Sequence, residues 1–178
     1  MKLEKIDIPE LFKKHVPPGF KFIQHEDHDF LIVDSIFCRH GHDLLVDSVR
    51  IHGQPSIKLD VTIEQRHGVM FIDSFWGSHA KLFSFFPGFI HDHALVEASC
   101  PHCGVSMMEP YQCDEPGCHS DTGIIFYLPG EQNRVHVCAK LNCPSHRLEI
   151  IDIPSDLVKT ISHINFFGEG IDDLFGDF

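Results

Sequence analysis

The chain reads as mainly β: an antiparallel β meander or sandwich-like domain joined to a cysteine-rich module, with short helices near its two ends. Three observations predict this. In Ile57-Lys58-Leu59-Asp60-Val61-Thr62-Ile63 the apolar residues fall on every second position, so one face of a strand is greasy and the other wet. The 11 Pro and 13 Gly among 178 residues favour many short elements over a few long helices. The 16 Phe against two Tyr and one Trp point to a well-filled interior or to sticky loops, and 178 residues with 43% hydrophobic content suffice for one sizeable domain or two small ones.

Taken in order, Ile8-Pro9-Glu10-Leu11-Phe12-Lys13-Lys14 has a proline at an early helical position and an acid in the first turn, which predicts a short helix ended by Val16-Pro17-Pro18-Gly19. Residues 20–38 turn extended, with Phe30-Leu31-Ile32-Val33 a buried strand. Leu44 to His52, Ile57 to Ile63 and Val69 to Phe75 form three meander strands, separated by Gly53-Gln54-Pro55-Ser56 and by Arg66-His67-Gly68. Phe75, Trp76, Phe83, Phe85, Phe86 and Phe89 crowd the next segment, as an aromatic plug for the sheet or as a contact surface. Gly123 to Leu128 and Arg134 to Cys138 flank Pro129-Gly130-Glu131-Gln132-Asn133 and read as a hairpin. After Leu148-Glu149-Ile150-Ile151 comes a second short helix from Pro154 to Lys159. The organisation expected is 1–98 for the β-rich domain, 99–150 for the cysteine-rich module and 151–178 for helix and tail. Ile6-Asp7-Ile8-Pro9 and Ile151-Asp152-Ile153-Pro154 match, but four residues are too few to claim duplication.

Chemistry concentrates in seven cysteines. Cys100-Pro101-His102-Cys103-Gly104 puts two sulfurs on one tight turn, where both reach a tetrahedral ion at about 2.3 Å, and Gly104 lets the chain turn back. Cys113 and Cys118 follow closely enough to complete a four-sulfur cage with them. This C-P-x-C-G run with a second pair downstream resembles the zinc ribbon and rubredoxin-like group over about residues 100–119. The second pair departs from that pattern, with four intervening residues where the group usually has two. The resemblance implies one metal and a local fold, and no substrate. Pairing of Cys100 and Cys103 with Cys138 and Cys143 across the hairpin is the alternative. With the local cage, Cys138, Cys143 and His146 lack a fourth ligand, which Cys38 can supply, giving a second site that ties the N-terminal sheet to the hairpin. Zinc is the expected ion, one at the local cage and a second if the remaining set closes, with iron the alternative.

Two further patterns bear on function. Cys38-x-His40 and Cys143-x-x-His146 reproduce the Cys-His pairs of a Rieske cluster, although about a hundred residues separate them. His91-Asp92-His93 followed by Glu97 resembles the first cupin motif, in which two His and a Glu on a strand hold a catalytic metal; the surface alternative is two polar side chains on a strand edge. No nucleophile elbow, phosphate loop or dinucleotide fingerprint occurs.

Composition narrows the partners. A formal charge of -12, with no run of Lys and Arg, disfavours nucleic acid, whose binding rests on neutralised phosphates. No apolar stretch approaches a membrane span, and Met1 to His15 carries acids where a signal peptide is apolar. A cytoplasmic, reducing location is therefore expected, in which close cysteines serve as metal ligands rather than disulfides. Phe166 to Phe178 interleaves apolar residues with acids and glycines, as a docking peptide or as a frayed terminus. These features point to a non-catalytic interaction or assembly protein with a protein partner, the oligomeric state left open. The alternative is a redox protein using iron or a mononuclear-metal enzyme using His91, His93 and Glu97.

Overall fold

The computed structural model describes residues 10–25, 28–78, 80–84, 90–130, 132–150 and 155–164. It is mainly β, with antiparallel pairing throughout. The alternating segment becomes β4 (Gln54–Ile63), the longest strand, in which Ile57, Leu59, Val61 and Ile63 are buried and Lys58, Asp60 and Thr62 are not. Strand β5 (Arg66–Ile72) pairs along one edge of β4, and β6 (Lys81–Ser84) extends the sheet beyond it. The other edge of β4 is shared: β3 (Leu45–Ile51) takes Gln54 to Ile57, and β7 (Val96–Ser99) takes Asp60 to Ile63. The start of the chain's cysteine-rich half is thus built directly into this five-stranded sheet.

Two turns are tighter than the sequence pattern suggests. His52 and Gly53 have φ of 48° and 76°, and Glu64 and Gln65 have 50° and 65°, so two-residue turns with both central residues left-handed join β3 to β4 and β4 to β5. Gln54 to Ser56 and Arg66 to Gly68, expected as separators, are therefore strand. Pro55 is tolerated because β3 bulges between Val46 and Arg50, where regular ladder pairing is already broken.

The second sheet runs β11 (His146–Glu149), β10 (Arg134–Cys138), β9 (Thr122–Tyr127), β8 (Met108–Pro110) in space. The expected hairpin is β9 and β10, in register from Arg134 opposite Tyr127 to Cys138 opposite Gly123. Backbone hydrogen bonds join the two sheets, Met107 N donating to Ala98 O at 2.9 Å and Val96 N to Ala139 O at 2.8 Å, while Phe37, in the loop before β3, exchanges a pair with Tyr127 of β9 at 2.8 and 2.9 Å. A separate hairpin, β1 (Phe20–His25) with β2 (His28–Val33), docks through Val33 N on Ser74 O and Trp76 N on Leu31 O.

Short helices lie near both ends, α1 (Glu10–Lys13) and α2 (Ser155–His163). Lys13 reaches Asp29 of β2 at 2.6 Å, and Trp76 Nε1 donates to Ile161 O at 2.9 Å, which holds α2 against the core. One continuous core runs from Phe20 through Leu59, Ala98 and Phe126 to Ile164. Phe75 and Trp76 are buried, 3% and 5% exposed, as plugging side chains. Phe85, Phe86 and Phe89, the matching tetrapeptides at 6–9 and 151–154, and the tail at 166–178 lie outside the described residues.

Candidate metal centres

Two groups of four side chains converge so that each set of ligand atoms lies within 4.8 Å of one another: Cys38, His42, Cys100 and Cys103 in one, Cys113, Cys118, Cys138 and Cys143 in the other. The first cluster is built by two loops. Cys38 and His42 sit between β2 and β3 on a turn closed by Gly41 N to Cys38 O at 2.9 Å and Cys38 N to His42 O at 3.1 Å. Cys100 and Cys103 sit between β7 and β8 on a turn closed by Gly104 N to Cys100 O at 2.8 Å and Cys100 N to Val105 O at 2.9 Å. Sheet contacts bring the loops together, because Phe37 is fixed to β9 at Tyr127 while Ala98 is fixed to the chain entering β8 at Met107.

The second cluster is also built by two loops, and they repeat each other residue by residue. Cys113 N donates to Ser120 O and Cys118 N to Glu115 O; Cys138 N donates to Ser145 O and Cys143 N to Lys140 O. Gly117 and Asn142, each just before the second cysteine of its loop, have φ of 81° and 64°. Both loops follow a C-x-x-x-[G/N]-C-x-S pattern, at Cys113 to Ser120 and Cys138 to Ser145. Asn is the residue other than Gly that enters this left-handed region most readily. One loop connects β8 to β9 and the other β10 to β11, so a single sheet presents both from the same end.

The distances suit a tetrahedral ion. Around zinc, sulfurs at about 2.3 Å and a nitrogen at about 2.0 Å place S···S near about 3.8 Å and S···N near about 3.5 Å. Cys38 Sγ lies 4.0 Å from Cys103 Sγ and 3.4 Å from His42 Nδ1. In the second cluster Cys113 to Cys143 is 3.7 Å and Cys118 to Cys138 is 3.6 Å. Such close sulfurs fit a shared cation better than free thiols, whose burial without a partner gains only weak S–H contacts.

The surroundings of the two clusters differ. Cys113, Cys138 and Cys143 are buried with Tyr111 in a small apolar cluster of their own, and Cys118 is partly buried against it. Tyr111 Oη and Ser145 Oγ are 2.7 Å apart, Ser145 Oγ donates to Asp114 Oδ1 at 2.8 Å, and Lys140 Nζ donates to Cys118 O at 2.6 Å. Burial pushes the Cys138 and Cys143 thiols above their ordinary range. In the first cluster Cys38 and Cys100 are buried, whereas Cys103 and His42 are exposed. Burial would raise the Cys38 thiol too, but hydrogen bonds from the His42 backbone and ring and the His40 backbone bring it down to about 7. Two more imidazoles crowd this rim: His40 Nδ1 lies 3.4 Å from Cys103 Sγ, and His102 stacks on His42 at 5.7 Å.

All seven cysteines therefore enter clusters, but not in the grouping preferred from spacing. Cys100 and Cys103 do not join Cys113 and Cys118: β7 carries the first knuckle to the loop before β3, while the second pair meets its own repeat at the far end of the second sheet. Nor do Cys100 and Cys103 join Cys138 and Cys143. Cys38 is a partner of Cys100 and Cys103, not of Cys138 and Cys143. His146 belongs to neither group; its Nδ1 faces Pro144 O at 3.1 Å and its ring meets Trp76 edge-on at 4.9 Å. His42, not His146, is the imidazole that joins Cys38. The signals that could have found this were the C-x-x-x-[G/N]-C-x-S repeat and the neighbouring Cys38 and His42.

Neither catalytic constellation assembles. Cys38 and Cys143, the Cys members of the Rieske-like pairs, fall in different clusters. His91 and His93 are on a turn closed by Ala94 N to His91 O, not on a strand, and His93 is left-handed with φ of 66°. His91 Nδ1 is 2.5 Å from Glu64 Oε1, which holds the Glu64 carboxyl below its usual range, while Glu97 lies opposite Thr62 in β7. Among the described residues no helix is long and apolar enough to cross a membrane. Comparison with models of protein families, with curated proteins and with solved structures gave no match.

Proposed function

We propose that this chain is a non-catalytic zinc protein that holds two structural ions and serves protein–protein interaction or assembly. The observation that carries the reading is that each cluster offers a full set of four ligands at tetrahedral spacing, three thiolates and an imidazole in one and four thiolates in the other. Structural zinc sites are closed in this way, whereas catalytic ones keep one position for water or substrate. The second cluster, with two equivalent loops on adjacent hairpins of one sheet, supports a zinc-ribbon-like relationship for that part of the chain. Seven of the eight ligands come from loops between strands and the eighth, Cys138, from the end of β10 where such a loop begins, so each ion would tie two loops together.

The thiolates formed around each divalent ion would outweigh its charge and make a chain already at -12 more negative, which disfavours nucleic acid and leaves a protein as the partner class. The reading places the chain in a reducing compartment such as the cytoplasm, where thiolates stay available to metal. Elemental analysis of the purified protein tests it. A colourless protein with two zinc per chain, whose removal lowers the melting temperature, is the expected result. Visible absorption with stoichiometric iron would replace it by the redox reading, since a four-sulfur cage suits iron as well.

A further inference from the structure

The first cluster carries an exposed sulfur and the second does not. Of its three sulfurs, Cys38 and Cys100 are buried, 1% and 0% exposed, and the His102 backbone N–H faces Cys100 Sγ at 3.4 Å. Cys103 alone among the seven cysteines is exposed, and its Sγ meets His40 Nδ1 at the rim. In the second cluster even the outermost sulfur, that of Cys118, is packed against the apolar group around Tyr111. A metal keeps Cys103 as a thiolate without removing it from solvent, and reactivity toward oxidants follows thiolate character and exposure together.

We infer that Cys103 is a hydroperoxide-reactive site and that its oxidation to a disulfide with Cys38, 4.0 Å away, expels the metal of the first cluster while the second keeps its own. This rests on the proposal that both clusters hold zinc. The chemistry balances with hydrogen peroxide as oxidant. The Cys103 thiolate attacks one peroxide oxygen, an S–O bond forms, the O–O bond breaks, and the departing hydroxide takes a proton to become water. The Cys38 thiolate then attacks the sulfenic sulfur, an S–S bond forms, and the second hydroxide leaves as water. Two thiolates lose two electrons, the peroxide gains them, and the ion is left with Cys100 and His42.

The full chain loaded with zinc is treated with hydrogen peroxide while a chromophoric chelator follows zinc release and peptide mapping follows the cysteines. Zinc content before oxidation tests the underlying reading on its own: two ions per chain sustain it, and an empty first cluster overturns both proposals. With two ions bound, one equivalent should leave about tenfold or more ahead of the other, together with a Cys38 to Cys103 disulfide. His40→Ala, which alters no ligand, should keep two ions at the start and speed that first release by removing a hydrogen-bond partner of the sulfur. Simultaneous loss of both ions, a first disulfide among Cys113, Cys118, Cys138 and Cys143, or one joining Cys103 to Cys100 would overturn the assignment.

Discussion

Asp73 shows how far single residues are read from neighbours that sequence spacing does not reveal. It is 4% exposed at the end of β5, accepting from His52 Nδ1 at 2.7 Å, Ser78 Oγ at 2.6 Å and Phe75 N at 3.1 Å. Burial pushes its carboxyl up despite these donors. Asp73→Ala removes the acceptor that these three donors share and should cost about 2–4 kcal/mol in denaturant unfolding. Because its folded pKa lies above the ordinary 3.8, the stability Asp73 contributes is complete below that value and declines as pH rises through the folded pKa. The stability difference between the parent and Asp73→Asn should shrink over that window and then level off. His52 carries no ligand spacing in the sequence; its partner lies 21 residues on, past β4 and β5.

Elements were legible where their signal is periodic. The buried face of β4 follows from its alternation, because a strand turns each side chain half a circle from the last. Turn positions were less legible, since Glu64 and Gln65 enter the left-handed region without a glycine to announce it. The two loops of the second cluster are likewise a matter of backbone shape. Asn142→Val, which forces a β-branched residue to φ of 64°, should cost about 1–3 kcal/mol and weaken zinc retention, whereas Asn142→Gly should keep both. At the root of this cluster, a Cβ on Gly123 would stand 2.6 Å from Tyr111 Cβ and 3.0 Å from Val137 O. Gly123→Ala should therefore destabilise by about 1–3 kcal/mol, read as a lower melting temperature with the metal bound.

At the scale of the molecule, the long-range pairing is what spacing left undecided. The short C-x-x-C separation puts Cys100 and Cys103 in one cluster, but the residues facing them depend on which strands lie beside β7 and β8. That is set by β4, which takes β7 on the same edge as β3, and by Phe37, which anchors the Cys38 loop to β9. The first ion would thus clamp the two sheets together, while the second would close one end of a single sheet. The measurement that tests this most directly is zinc content of a Cys113→Ser/Cys138→Ser double variant after exposure to a competing chelator. Both residues belong to the second cluster, so the variant should retain one tightly held ion per chain at the untouched Cys38, His42, Cys100 and Cys103. Either other grouping of the cysteines puts Cys113 and Cys138 in different sites, and a variant that retains no zinc would contradict the arrangement described.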